Sequence, residues 1–176
     1  MKKFINAVIY GHQNANEILV ENGIIKSIGK DLEPTDEIID LGGKLITAPY
    51  VDPHLHLDYV YTLSELGQTG AGSGTLFEAI EMWPKFKANL TTESVKKLAL
   101  KGIKDEVSQG VQYIRTHIDV TDKNFTALKA MLELREELKK IVEIQIVAFP
   151  QEGMYTYRGG RDLVEEALKM GADVVG

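Results

Sequence analysis

Residues 50–58 read Y-V-D-P-H-L-H-L-D. An apolar run, Leu45–Val51, leads into His54 and His56. Side chains two apart on a strand share a face, about 7 Å apart along it. Two imidazoles so placed can hold one metal ion through ring nitrogens. Pro53 fixes its own φ and lacks an N–H, which suits a strand end. The pair therefore belongs where a buried strand opens into a loop. The plain alternative is two surface histidines. The apolar run before them, with Pro53 and Asp58 beside them, favours the metal reading.

Downstream of this pair the pattern alternates. T-x-x-E at Thr75–Glu78 forms a capping box that starts a helix, which Pro84 should end or kink near Trp83. Thr92 can cap a second helix, about 93–108, with Val95, Leu98, Ala99, Ile103 and Val107 on its apolar face. Val111–Val120 reads as a strand with Tyr113, Arg115, His117 and Asp119 on one face and Ile114, Thr116, Ile118 and Val120 on the other. Asp122 or Asn124 can cap a third helix to about Lys140. Ile141–Phe149 is a buried strand ending in P-Q-E-G at 150–153. A fourth helix, about Asp162–Met170, stops at Gly171, and Asp173–Val175 begins another strand. Strands alternating with helices mean a parallel sheet with helical crossovers. The best fit is the first half of a (β/α)8 TIM barrel spanning 49–176. His54, His56, His117, Asp119 and Gln151 all fall near C-terminal strand ends, where barrels place their sites. A flavodoxin-like open sheet is second. Four strands of an expected eight suggest the first part of a longer chain.

Upstream, residues 1–48 read as a small β-domain, a partial sandwich. Phe4–Tyr10 looks like one strand. Glu17–Val20 and Ile24–Ile28 flank Asn22-Gly23, a type I′ hairpin signal, and Glu37–Asp40 and Lys44–Ile46 flank Gly42-Gly43. The formal charge of −6 argues against a nucleic-acid surface. Without cysteines there is neither a disulfide framework nor a thiolate metal site. No apolar run approaches the ~18 residues of a membrane span. These features point to a soluble cytoplasmic protein.

The β-rich start followed by A-P-Y-V-D-P-H-L-H-L-D resembles the amidohydrolase superfamily of metal-dependent hydrolases. Four further stretches resemble bacterial-type cytosine deaminases: S-G-T-L-F-E (73–78), Y-I-R-T-H-I-D-V (113–120), I-V-A-F-P-Q-E-G (146–153) and G-A-D-V-V-G (171–176). The resemblance implies hydrolytic deamination of cytosine to uracil and ammonia with one divalent ion, Fe(II) or Zn(II). It makes His54 and His56 metal ligands. It places Gln151 against the pyrimidine through its side-chain amide, and Leu76 in the lining of that pocket. A third histidine, an aspartate and the proton-transferring glutamate and histidine are implied for strands after Gly176, so no catalytic group is expected in this segment and the segment alone should be inactive. The implied partner is a nucleobase, with homo-oligomerisation left open. The stretch Tyr59–Gly72 departs from the corresponding deaminase loop, which keeps isoguanine, creatinine or another cyclic amidine beside cytosine as substrate.

His117 and Asp119 are expected either behind the metal ligands or as a buried hydrogen-bonded pair. Asp58 could orient an imidazole or cap a loop. Glu152 reads as a structural neighbour of Gln151, His12 as solvated, and Met82 and Trp83 as core. A non-enzymatic alternative is a nucleotide-binding or scaffold piece using the glycine-rich loop Gly70–Gly74.

Overall fold

The computed structural model describes residues 1–62 and 75–176, apart from the side chains at 76, 77, 79 and 80. The chain divides into two compact units, Met1–Ala48 and Pro49–Gly176.

The first unit contains β1 (Lys2–Ile5), β2 (Val8–Ile9), β3 (Glu17–Glu21), β4 (Ile24–Gly29), β5 (Glu37–Asp40) and β6 (Leu45–Ile46). One sheet runs β4-β3-β1-β5, and β2 pairs separately with β6. Asn22 and Gly23 both take positive φ, 52° and 79°, as a type I′ hairpin between β3 and β4 demands. The expected single strand Phe4–Tyr10 is two. Asn6 adopts a left-handed φ of 54°, and its Nδ2 donates to Asp40 Oδ2 at 2.9 Å. That break sends β1 to β3 and β5 but β2 to β6. Ala7, Ile9 and Ile18 form the buried centre of the unit.

In the second unit β7 (Tyr50–Leu55), β8 (Val111–Asp119), β9 (Glu143–Phe149) and β10 (Val174–Val175) lie side by side in chain order. Every neighbouring pair is parallel. A doubly wound sheet would reverse its strand order at a switch point. The unbroken succession is that of the first strands of a β/α barrel. Helices α1 (Leu76–Lys87) and α2 (Thr92–Ser108) lie between β7 and β8, α3 (Thr126–Leu138) between β8 and β9, and α4 (Gly160–Met170) between β9 and β10.

The alternation in β8 gives the sheet two unlike faces. Ile114, Ile118 and Val120 are buried in one cluster with Val95, Ala99 and Ile103 of α2 and Leu128, Met131 and Leu134 of α3, and Thr116 is buried on the same face. Tyr113, Arg115 and His117 stand on the opposite, more open face. Capping differs from expectation by small steps. Thr91, not Thr92, caps α2, in a reciprocal box with Ser94. Asp122 serves the start of α3, accepting from Asn124 N at 2.9 Å and Thr126 N at 2.8 Å.

Of the two outcomes expected at Pro84, an end near Trp83 is not what occurs: the helix continues to Lys87 with Pro84 inside it. Proline in a helix interior costs about 3 kcal/mol through a lost hydrogen bond and a ring clash. Tertiary contacts on either side hold the turn: Trp83 Nε1 and Lys87 Nζ both donate to Asp119 Oδ2, at 2.8 and 2.9 Å.

A buried hydroxyl ties the end of β7 to β8. Thr116 Oγ1 accepts from Leu57 N at 3.0 Å, with Thr116 fully buried. Thr116→Val keeps the shape but leaves a buried N–H unpaired, so unfolding free energy should fall by about 1–3 kcal/mol. Thr116→Ser should retain most of it. Urea midpoints of the two variants check this; equal midpoints would remove the hydroxyl as a structural tie.

Candidate metal centre

The ladder between β7 and β8 loses its register between Asp52 and Leu55. Pro53 lies inside that interval and has no N–H to give. Asp52 Oδ1 accepts from His54 N at 2.9 Å, which turns the chain there. Beyond the turn, side chains grip backbone in both directions: Leu57 N donates to Thr116 Oγ1, and Asp119 N donates to Asp58 Oδ2 at 2.8 Å. These contacts fix His54 and His56 against the end of β8.

Three histidines meet there. The rings of His54 and His117 stack with centroids 4.1 Å apart, and His56 lies 5.3 Å from His54 and 5.4 Å from His117. One nitrogen from each falls within 4.8 Å of the others. His117 thus lies beside His54 and His56, within reach of the same point; the expectation from sequence set it behind the ligand pair or in a buried hydrogen-bonded pair. Nδ1 of His56 and Nδ1 of His117 are buried and have no hydrogen-bond partner among the described residues. Buried imidazole nitrogens normally have one. Three converging imidazoles, two of which also carry an unpartnered buried nitrogen, fit a divalent ion of the kind imidazole favours.

The surroundings disfavour protonation of two of these rings, His56 and His117. Burial, then the neighbouring His117 and His54, push the His56 pKa down to about 4. Burial and His54 also lower His117. Phe149, the last residue of β9, packs edge-on to His56 and His117 at 5.5 and 5.8 Å. Gly176 follows β10, and a Cβ there would lie 2.7 Å from Val147 Cγ1, 3.1 Å from Phe149 Cδ2 and 3.5 Å from His117 Cδ2. A side chain would press on this wall, so glycine suits the position.

Asp58 and Asp119 do other work than orienting imidazoles. Asp58 is buried, and burial above all raises its pKa to about 7 although the Asp119 N–H opposes the shift. Asp119 Oδ2 receives Trp83 and Lys87, and its Oδ1 receives the Thr121 N–H and hydroxyl. The expected pairing of Asp119 with His117 is therefore replaced by a tie to α1. Among the described residues neither carboxylate hydrogen-bonds a histidine.

Gln151 sits half-buried in the turn after β9, two residues past Phe149, and its N–H donates to Phe149 O at 3.1 Å. Glu152 beside it pairs with Lys87 at 2.8 Å. Lys87 was not legible as a site residue, although its i, i+4 relation to Trp83 on α1 offered a signal. Leu76 begins α1, but its side chain, like the Gly70–Gly74 loop, lies outside the described residues.

A family model described as "Amidohydrolase family" matches residues 37–174. N-isopropylammelide isopropyl amidohydrolase of Pseudomonas sp. (strain ADP) is 35% identical over 161 residues, 90% of this chain and 40% of that protein. The structure of 5-methylcytosine deaminase from Klebsiella pneumoniae liganded with 5-fluorocytosine superposes with a TM-score of 0.85 and 41% identity, covering 99% of this chain and 42% of that one. N-isopropylammelide isopropylaminohydrolase from Burkholderia multivorans gives 0.81 and 29%, covering 100% and 45%. The chain spans less than half the length of each of these relatives. Among the described residues no helix is long and apolar enough to cross a membrane.

The burial of His56 has a pH signature. In metal-free protein its ring should titrate near pH 4, whereas an unfolded histidine titrates near 6.5. As pH falls from about 6.5 to 4, the unfolded chain gains a proton that the folded one refuses, so stability should decline through that window and draw no further loss from His56 below it. NMR titration of the imidazole Cε1–H signals, with denaturant midpoints at matched pH, checks both; a His56 ring titrating near 6.5 would contradict its burial.

Proposed function

From the premise that the chain belongs to the amidohydrolase family, we propose that it serves hydrolytic deamination of a pyrimidine, cytosine or 5-methylcytosine, at a divalent metal centre built on His54 and His56. Family members are metal-dependent hydrolases. The convergence of His54, His56 and His117 at adjacent strand ends is the observation that carries the reading. The 41% identity to a 5-methylcytosine deaminase across 99% of this chain supports the substrate class.

His54 and His56 would hold the ion, with His117 the third nitrogen in reach. Bound there, the ion supplies the Lewis acidity that activates water for attack on a ring carbon. The chain's own residues bind and shield the ring. Phe149 gives the site an apolar wall, which strengthens polar contacts made beside it. Gln151 offers an amide acceptor and donors to the ring carbonyl and adjacent N–H. In the net reaction water adds oxygen to the ring carbon, the carbon–nitrogen bond breaks, and ammonia leaves. The remaining ligands and the proton-transferring groups are assigned to strands that the relatives carry beyond the matched part. Iron(II) and zinc both suit such a donor set.

A second reading has a specific observation behind it. The 35% identity to an N-isopropylammelide hydrolase favours the same displacement with an alkylamine leaving a triazine. Cytosine, 5-methylcytosine and N-isopropylammelide offered in parallel decide between them; turnover of the triazine alone would overturn the pyrimidine assignment.

Two variants of a protein carrying the complete barrel test the roles. His54→Ala/His56→Ala should lose stoichiometric metal, and wild-type metal content would sink the ligand assignment. Gln151→Ala should keep its metal but lower kcat/KM by roughly ten- to a few hundred-fold, since each unpaired buried polar group costs about 1–3 kcal/mol. Unchanged kcat/KM with a lowered melting temperature would leave Gln151 a structural role only.

A further inference from the structure

Lys87 closes a polar network that the reaction outlined above does not use. Its side chain is only 12% exposed, yet it ends in a charge. Nζ donates to Asp119 Oδ2 at 2.9 Å, Thr121 O at 2.8 Å, Thr121 Oγ1 at 3.0 Å and Glu152 Oε1 at 2.8 Å. An ammonium has three protons, so four acceptors saturate it. The partners belong to separate segments: the end of β8, the residues after it, and the turn after β9. Burial lowers the Lys87 pKa, but hydrogen bonds to Glu152 and Asp119 and their charges outweigh it and hold the group above an ordinary lysine. The cation is therefore permanent at neutral pH.

The turn it holds is the one that carries Gln151. The Gln151 N–H is fixed to Phe149 O, and Gly153 N closes the turn onto Pro150 O at 2.7 Å. The Glu152 carbonyl accepts from the Thr156 hydroxyl, and the Glu152 carboxylate accepts from Lys87. Gln151 is thus bracketed by β9 on one side and by α1, through Lys87, on the other.

We propose that Lys87 is a positioning residue for the ligand: by holding Glu152 it sets where the Gln151 amide meets the ring, and so governs affinity more than chemistry. This inference rests on the assignment of Gln151 to the substrate made above. Lys87 contacts none of the three histidines among the described residues, so metal binding should not depend on it. A displaced amide weakens ground-state and transition-state contacts alike, which appears in KM more than in kcat.

The test uses Glu152→Gln, Lys87→Met and Gln151→Ala, singly and with Gln151→Ala combined with each of the others, in a protein carrying the complete barrel. Glu152 is partly exposed, so its variant keeps the test open should Lys87→Met fold poorly. With cytosine and 5-methylcytosine as probes, Glu152→Gln should raise KM by about 3- to 10-fold with kcat within about two-fold, at unchanged metal content. In the Gln151→Ala background the same change should add less than about two-fold, because the group it positions is gone. Equal factors in both backgrounds, or no effect in either, would overturn the positioning role while leaving Gln151 in place. A silent Gln151→Ala would instead overturn the Gln151 assignment and this inference with it. Hydrogen exchange supplies a readout that needs no substrate. Amides of 151–153 should exchange at least about ten-fold faster in Glu152→Gln, which leaves the Lys87–Asp119 pair in place, with β8 amides unchanged. Unchanged exchange in the turn overturns the proposal whatever the substrate.

Discussion

A carboxylate buried at the end of a strand sets the terms for the second unit. The Asp119 side chain has no solvent exposure, and an uncompensated charge there would be strongly destabilising. Its neutralisation draws in Lys87 and Trp83 from α1 and both polar groups of Thr121. Meeting that demand is what seats the last turn of α1 over the end of β8, carries the helix through Pro84, and brings a cation within reach of the β9 turn. The carboxylate acts through what it attracts, since among the described residues its hydrogen bonds go to Trp83, Lys87 and Thr121 and not to an imidazole.

The histidine cluster depends on a different feature, the parallel order of the sheet. Parallel neighbours put their C-terminal ends on one edge, so residues from β7, β8 and β9 meet there although 54, 117 and 149 are far apart in the chain. The close approach at Gly176 adds the end of β10 to the same wall. The arrangement sets imidazole nitrogens beside apolar carbon, and burial disfavours the protonated form of His56 and His117, a setting that suits metal binding.

Much of this was legible because strands announce themselves by period. The alternation of Ile114, Thr116, Ile118 and Val120 against Tyr113, Arg115 and His117 predicts which face of β8 is covered, and the H-x-H spacing predicts that His54 and His56 act together. The order strand–helix–strand predicts a parallel sheet. What stayed hidden was of two kinds. Local exceptions hid inside favourable patterns: Asn6 breaks an apolar run by taking a left-handed conformation, and Pro84 sits in a helix that tertiary ties sustain. Long-range polar partners hid for want of any periodic signal. Lys87 meets Asp119 across 32 residues and Glu152 across 65. His117 could be placed on the right face but not in the cluster, because that depends on how the chain turns at Pro53.

The two sides of β8 are secured by different means. Toward β9 the register runs without interruption from Tyr113↔Glu143 to Asp119↔Phe149. Toward β7 it shifts twice, the second time between Asp52 and Leu55, and Thr116 and Asp58 add side-chain ties just beyond. A backbone ladder is indifferent to side-chain identity, so moving it takes an insertion or a deletion. A strand end keyed by a hydroxyl and a carboxylate can be moved by exchanging one residue. The segment that bears His54 and His56 is thus the evolvable edge of this sheet: the geometry of the two histidines can drift by point substitution while the β8–β9 frame stays in place. For anyone redesigning the centre, residues 58 and 116 are the adjusting screws, and the histidines themselves can be left alone.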